Sequence, residues 1–190
     1  MRTAGEPIRT ARPTERRAAD HTYVLITAAR NEARFIELTI KSVVGQTVQP
    51  AKWVIVSDGS TDGTDEIVSR YATEHEWIDL IRMPERTERH FCGKVQAFNA
   101  GYARMKDLKY DVIGSLDGDI SLDDADYLSF LLSKLAEDPT LGLVGTPYRD
   151  GATYDERTSP ARASCFGGSA SKRSAVMSRS RKAASTTSLS

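Results

Sequence analysis

Features that would mark a secreted, disulfide-rich or membrane-spanning chain are scarce in these 190 residues. The only two cysteines, Cys92 and Cys165, have neither a disulfide framework nor metal-ligand spacing, which favours a reducing compartment and a cytoplasmic location. No apolar run approaches the roughly 20 residues that a transmembrane helix needs. The first residues include arginines without an apolar segment behind them, so we expect no signal peptide.

A net charge is also lacking, because 26 Lys and Arg balance 26 Asp and Glu. Without an excess of positive charge there is no overall field to attract nucleic acid or an anionic membrane surface, and we expect neither as a partner. The length is sufficient for one domain with a real hydrophobic core.

From Tyr23 onward, short apolar runs alternate with helical patterns. We expect strands at 23–28, 53–57, 78–82, 111–119 and 141–145. This alternation predicts an α/β fold with a doubly wound, mostly parallel sheet, whose site lies where the strands end.

Four helices are expected between these strands, each with an apolar face. The first is predicted to start at Asn31 as its N-cap and to end near Gly45, and the last covers 128–135. The apolar faces are expected to consist of Phe35, Ile36, Ile40, Val43 and Val44; of Ile67, Val68 and Tyr71; and of Val95, Phe98, Tyr102 and Met105.

Two carboxylates follow the apolar residues of the fourth predicted strand, with Gly118 between them. In an extended segment, residues two apart face the same side, so Asp117 and Asp119 are expected to face one point. Two oxygen donors there can hold a divalent cation, which in turn can neutralise a diphosphate. A calcium loop is excluded, because Leu122 stands where its glycine is needed and Leu128 where its glutamate is needed.

The first, second and fourth predicted strands all lead into polar groups, near Asn31 and Glu32, at Asp58, and at Asp117 with Asp119. In a parallel sheet these groups share one edge. An uncompensated acidic edge repels itself, so we expect a cation or a donor-rich ligand at this edge.

Four motifs in order carry a family resemblance: Thr27-Ala-Ala-Arg-Asn-Glu32, Val56-Ser-Asp-Gly-Ser-Thr-Asp-Gly-Thr64, Gly93-Lys94 through Asn99-Ala-Gly101, and Leu116-Asp-Gly-Asp119. Over about residues 22 to 150 the chain resembles the nucleotide-sugar half of a family 2 glycosyltransferase. The resemblance implies the GT-A fold.

The resemblance also implies roles for particular residues. Asp58 matches the carboxylate that accepts from the nucleotide base, with turn former as its alternative role, and Asp117 and Asp119 match the metal pair. Lys94 matches a group that faces the phosphates, although it could be a solvated charge. The implied substrate-binding residues are Ala29, Asn31, Glu32, Asp58, Lys94, Asn99 and Asp117, of which Asn31 could be only a helix cap and Asn99 only a polar group on a helix face.

The function implied is transfer of a sugar from a nucleoside-diphosphate sugar to a hydroxyl of a saccharide or lipid-linked acceptor, with Mg²⁺ or Mn²⁺ and with inversion. A non-catalytic nucleotide-sugar-binding module is the alternative. An unrelated phosphotransfer or hydrolase domain is disfavoured, because Ala28 and Ala29 occupy the position where it would need a nucleophilic Asp.

The expected organisation is a disordered leader over 1–21, a GT-A domain over 22–157 and an irregular Ser, Arg and Ala-rich tail over 158–190. One hypothesis is that this tail is genuine, and the other is that it is translated out of frame. Family members continue with Gly-Gly-Ile-Asp, and codons for Gly-Gly-Ile-Asp-His-Leu that are read one base late encode the sequence at Ala183–Ser188. In the second case the acceptor region and the catalytic base are absent, no catalytic residue is assigned, and the fragment is expected to aggregate.

Overall fold

The computed structural model describes residues 21–85, 91–147 and 173–179. Apart from His21, the leader lies outside these ranges, as does the tail except for 173–179. The elements in chain order are β1 (Tyr23–Ala29), α1 (Ile36–Val44), β2 (Lys52–Asp58), α2 (Thr64–Glu74), β3 (Ile78–Met83), α3 (Phe91–Arg104), β4 (Val112–Leu116), α4 (Tyr127–Glu137), β5 (Leu143–Pro147) and β6 (Arg173–Arg179).

The strands form a six-stranded sheet in the order β3-β2-β1-β4-β6-β5. The first four are mutually parallel, whereas β6 runs antiparallel to both of its neighbours. The α/β fold with a mostly parallel, doubly wound sheet is therefore confirmed, and all five strands expected from the sequence are present.

Strand β6 lies inside the segment that the sequence indicated to be an irregular tail. Its backbone pairs with β4 and β5 at once, with Met177 opposite both Gly114 and Val144. The Met177 side chain is fully buried. Composition concealed this strand because its conformation comes from pairing on both sides rather than from its own short apolar run.

The side chains of β1 and β2 alternate between the two faces of the sheet and so belong to two separate cores. Tyr23 and Leu25 pack with residues of α1, α2 and α4, whereas Val24 and Ile26 pack with residues of α3. Helices therefore cover both faces of the sheet, as the alternating pattern predicted. None of the helices in the described ranges is long and apolar enough to cross a bilayer.

The face of α3 that packs on the sheet is only partly the one that apolar spacing predicted. Met105 is buried just after the helix and Phe98 packs against the core, as expected. Val95 and Tyr102 are 48% and 43% exposed, while Ala97 and Gly101 are buried. A Cβ atom on Gly101 would lie 2.9 Å from Cγ2 of Ile26. At Gly101 the helix thus lies so close to the sheet that no larger side chain fits.

The start of α1 also differs from the expectation. The helix begins at Ile36 with Phe35 in the capping position and with no capping side-chain hydrogen bond, so the prediction that Asn31 caps it is wrong. Phe35 is 40% exposed and lies outside the core. The helix ends at Gly45, as predicted.

Candidate active site

Strands β1, β2 and β4 are parallel neighbours and end along one side of the sheet, here named the carboxyl edge. Their last residues are Ala29, Asp58 and Leu116, and the register pairs Ala29 with Ser57. The structure therefore brings the predicted residues at these three strand ends to a single edge, where the site of a doubly wound fold is expected.

Asp58 is buried, with 7% of its surface exposed, at the end of β2. The backbone turns sharply after it, because Gly59 adopts a left-handed conformation with φ of 68°. A Cβ atom on Gly59 would lie 2.7 Å from Cα of Glu85, so only glycine fits between Asp58 and the chain that follows β3. This close contact fixes the path of the backbone directly after Asp58.

Asn31 joins the β1–α1 loop (residues 30–35) to the β2–α2 loop (residues 59–63). It has a left-handed backbone with φ of 55°. Its amide donates to Oγ of Ser60 at 3.1 Å, and its Oδ1 accepts from the amide of Thr61 at 2.8 Å. These bonds replace the expected capping role.

The next two amides continue this connection. Glu32 donates its backbone N–H to Oγ1 of Thr64 at 2.9 Å, and Ala33 donates to Oδ2 of Asp62 at 3.0 Å. Oδ1 of Asp62 accepts from the amide and the hydroxyl of Thr64. Three successive amides of one loop are thereby held by side chains from the other loop and the start of α2.

The pKa of the Asp62 carboxyl is lowered from its usual value. Partial removal from water raises this pKa, but the bonds donated by the Thr64 side chain and by the amides of Ala33 and Thr64 outweigh that effect. The carboxylate form is therefore the one that the two loops hold.

The two carboxylates after β4 lie in a turn and not, as predicted, in an extended strand. The strand ends at Leu116, and the amide of Ile120 donates to the carbonyl of Asp117 at 3.4 Å. Asp117 is half-buried and Asp119 is exposed. The alternation of an extended strand therefore does not set the directions of these two carboxylates.

Gly118, between the carboxylates, packs tightly under the β1–α1 loop. A Cβ atom there would lie 3.3 Å from Cβ of Ala29 and 3.5 Å from Cγ of Glu32. The buried hydroxyl of Thr39, on α1, donates to the Gly118 carbonyl at 2.9 Å. The turn is thus anchored beside Ala29 and Glu32, two of the predicted substrate-binding residues.

Lys94 and Asp117 form an ion pair, with 2.6 Å between Nζ and Oδ1. The side chains are 59% and 34% exposed, respectively. The first turn of α3 thereby reaches the Asp117–Asp119 turn. Asn99 does not share this position, because five residues along a helix place it about 140° around the axis from Lys94. It is exposed, on the side of Val95 and Tyr102.

The donors at this edge suit a divalent cation that keeps part of its water shell. Within the described ranges, no group of three or more His, Cys, Asp or Glu side chains could surround a metal ion. Two carboxylates at a partly exposed turn fit Mg²⁺ or Mn²⁺, which bind proteins through one or two carboxylates together with substrate phosphates. A site built wholly from protein ligands does not fit.

Sequence reasoning did not single out the residues that position this site. Ser60, Asp62 and Thr64 lie inside the second family motif, Val56 to Thr64, and their alternating polar spacing is the signal that could have found them. Thr39 carried no signal, because a threonine on the buried face of an amphipathic helix is indistinguishable from a packing residue until its partner is known.

These features define a class of protein: an α/β fold of the GT-A type with polar loops along its carboxyl edge. The sequence profile described as Glycosyl transferase family 2 matches residues 24–185. The chain belongs to glycosyl transferase family 2.

Among curated proteins, the poly-beta-1,6-N-acetyl-D-glucosamine synthase of Staphylococcus aureus (strain COL) is 31% identical over 122 residues. That alignment covers 63% of this chain and 27% of the synthase. The synthase of the same name from Staphylococcus epidermidis is 30% identical over 121 residues, again covering 63% of this chain and 27% of the synthase. The chain therefore spans about a quarter of the length of the curated relatives that it matches.

Among solved structures, the mannosyltransferase PcManGT from Pyrobaculum calidifontis, in complex with GDP-Man and Mn²⁺, is 30% identical with a TM-score of 0.54. The match covers 68% of this chain and 36% of PcManGT. Residues 1–349 of Staphylococcus aureus TarS, with UDP-GlcNAc, share the fold at 17% identity and a TM-score of 0.53, over 74% of this chain and 37% of that one.

Proposed function

We propose that this chain is the donor-binding part of a glycosyltransferase that transfers a sugar from a nucleoside-diphosphate sugar to an acceptor hydroxyl with a divalent cation. The observation that carries the proposal is the Asp117–Asp119 turn at the carboxyl edge, in contact with Lys94. Membership of family 2 supports it, as does the likeness to PcManGT, whose structure holds GDP-Man and Mn²⁺.

In this proposal the nucleoside lies at the ends of β1 and β2. Asp58 accepts a hydrogen bond from the base, and Asn31 and Glu32 lie near the base and the ribose. Ala29, the last residue of β1, is proposed to lie beside them. The hydrogen bonds between the two loops support this arrangement, since they tie Asn31 and Glu32 to the segment that follows Asp58.

The diphosphate lies between the Asp117–Asp119 turn and α3. Asp117 and Asp119 would hold Mg²⁺ or Mn²⁺, which when bound supplies Lewis-acid stabilisation of the leaving diphosphate. Lys94 places a positive charge beside the oxygens of the same diphosphate. Asn99 is also proposed as a site residue, on the exposed side of α3 and not on the face that carries Lys94.

Inversion at the anomeric carbon needs a base that removes the proton of the acceptor hydroxyl. We assign this base to no residue of the described ranges. The acceptor is proposed to be a saccharide or a lipid-linked saccharide, and the location cytoplasmic. The curated relatives are synthases of a polysaccharide, which supports a carbohydrate acceptor.

The test is the release of nucleoside diphosphate from UDP-GlcNAc and GDP-mannose by the purified chain, with and without Mn²⁺, alongside direct binding of both donors. We expect binding that requires the metal. Asp119→Ala should abolish that requirement by removing a ligand, and lower donor affinity by about tenfold or more.

The matched control is Asp107→Ala, which removes an exposed carboxylate from the segment between α3 and β4, at the opposite edge of the sheet. It should bind donor and metal as the parent chain does. Binding that needs no metal in the parent, or that keeps its metal requirement in Asp119→Ala, would contradict the metal assignment. Binding without turnover would favour the non-catalytic module.

A further inference from the structure

The ion pair between Lys94 and Asp117 occupies an oxygen that the proposed function assigns to the cation. We propose that Lys94 is the resting counter-ion of Asp117 and that it moves from this carboxylate to the diphosphate when the metal–nucleotide complex binds. This inference rests on the proposed function and adds to it the way in which metal and nucleotide binding are coupled.

The contact is direct, since 2.6 Å between Nζ and Oδ1 is a short, charge-assisted hydrogen bond. A cation that binds through Oδ1 needs the same lone pairs, and it also carries the same sign of charge as the ammonium group. Lys94 and the metal therefore compete for Asp117 while no nucleotide is present.

The strength of this competition follows from the exposure of the pair. Lys94 is 59% and Asp117 34% exposed at the side chain, so water screens their attraction. Exposed ion pairs contribute little interaction free energy, so we expect Lys94 to lower the metal affinity by about two- to fivefold. Lys94 thus weakens metal binding without preventing it.

The lysine can leave Asp117 because no second partner of its ammonium group is found within the described ranges. Its ammonium group is carried on a long flexible stem, the Lys94 side chain is exposed, and its three donors suit phosphate oxygens. A diphosphate offers these oxygens at the moment when the metal takes Asp117. Lys94 therefore weakens the binding of the metal alone and strengthens the binding of the metal together with its nucleotide.

This exchange makes metal and nucleotide binding mutually dependent. If the nucleotide removes a competitor of the metal, the metal must strengthen nucleotide binding by the same factor. A free divalent cation then binds weakly to the empty donor site, whereas the cation that arrives with a diphosphate binds without opposition.

The experiment compares Lys94→Gln with the parent chain in two titrations. The first uses Mn²⁺ alone, and we expect Lys94→Gln to bind it about two- to fivefold more tightly. The second uses UDP and GDP at saturating Mn²⁺, and we expect the variant to bind them about tenfold more weakly because a charged donor to phosphate is lost. Lys94→Arg keeps the charge and should stay close to the parent in both titrations.

The matched control is Lys109→Gln, which removes an exposed lysine from the segment before β4. It should leave both affinities unchanged. A variant that is merely less well folded would weaken both ligands together, so opposite signs are the diagnostic result. Two affinities that change in the same direction, or an unchanged Mn²⁺ affinity, would overturn the exchange.

Failure of the proposed function gives a different pattern. If Asp119→Ala retains full Mn²⁺ affinity, or if the parent chain binds neither UDP nor GDP, the donor site itself is wrong and the exchange fails with it. If Asp119→Ala loses Mn²⁺ while Lys94→Gln does not gain affinity, only the exchange is overturned.

Discussion

At the scale of single residues, the geometry of the carboxyl edge depends on side chains that hold other groups in place. Thr39 holds the carbonyl of Gly118, and Asp62 and Thr64 hold the amides of Ala33 and Glu32. Each residue has a polar atom that reaches a backbone group of a different loop. The positions of the predicted site residues are therefore set by neighbours that touch no proposed ligand.

Asp62 provides the most direct test of this dependence. In Asp62→Asn one carboxylate oxygen becomes an NH₂ group, which cannot accept from the Ala33 amide while the other oxygen accepts from Thr64. We expect the free energy of unfolding to fall by about 1–2 kcal/mol, as for the loss of a hydrogen bond to a charged acceptor at a partly exposed position. Denaturant unfolding at pH 7 measures the change.

The same variant should also change how stability depends on pH. The pKa of Asp62 is lower in the folded chain, so its contribution is complete above the unfolded value of about 3.9 and is lost as pH falls through the folded value. The difference in unfolding free energy between the parent and Asp62→Asn should therefore shrink in acid. A difference that stays constant down to pH 2.5 would show that the carboxylate charge plays no part.

Candidate site residues that carry a charge could be predicted from the sequence, whereas residues that position the site through ordinary hydrogen bonds could not. Asp58, Asp117 and Asp119 lie at or just after the ends of buried strands, where a charged side chain indicates a ligand or a charged partner. Their roles remain predictions for the experiments above. Asn31 was misread because an Asn before a helix is a common cap, whereas here its left-handed backbone turns the side chain toward Thr61.

At the scale of elements, apolar runs predicted where strands and helices occur, but not always which face is buried. The spacing of Val95, Phe98, Tyr102 and Met105 predicted the buried face of α3, yet Val95 and Tyr102 are exposed. Hydrophobicity rules weigh large side chains, and this interface is made by Gly101 and Ala97 approaching the sheet closely. Such packing depends on the distance between backbones, which no property of a single residue reports.

The close approach of α3 can be tested with Gly101→Val. A Cβ atom at this position would lie 2.9 Å from Cγ2 of Ile26 and 3.3 Å from Cγ2 of Val56, both on buried β-branched side chains that cannot turn aside. We expect the free energy of unfolding to fall by about 1–3 kcal/mol from overpacking. Thermal and denaturant unfolding measure it.

Gly142→Ala is the matched control, because a Cβ atom on Gly142 would meet nothing within 4 Å. It should leave stability within about 0.5 kcal/mol of the parent. Because α3 also carries Lys94, Gly101→Val should weaken nucleotide binding as well. Unchanged stability in Gly101→Val would mean that α3 lies farther from the sheet than the structure indicates.

At the scale of the whole molecule, the question is whether residues 158–190 belong to the domain. Their composition indicates an irregular tail, whereas β6 lies within them and the family match extends to residue 185. The hypothesis of a shifted reading frame stays a prediction, which sequencing the encoding DNA through codons 145–190 checks directly. The structural role of β6 can be tested on the protein itself.

Strand β6 connects β5 to the rest of the sheet, since β5 pairs with β6 and β6 pairs with β4. Ending the chain after Arg157 removes β6, exposes the backbone edge of β4 and uncovers the cavity that Met177 fills. Loss of a buried methionine alone is worth about 2–5 kcal/mol, so we expect a fall in Tm of roughly 10 °C and aggregation through the exposed edge.

Ending the chain after Arg179 instead removes residues 180–190 and retains β6, which makes it the matched control. This longer form should unfold at the temperature of the parent and remain monodisperse in size-exclusion chromatography if β6 supplies the stability. If both truncated forms match the parent, the domain closes without β6 and the tail is irregular, as its composition indicated. Because β4 leads into the Asp117–Asp119 turn, loss of β6 should also weaken Mn²⁺ binding, whereas loss of residues 180–190 should not.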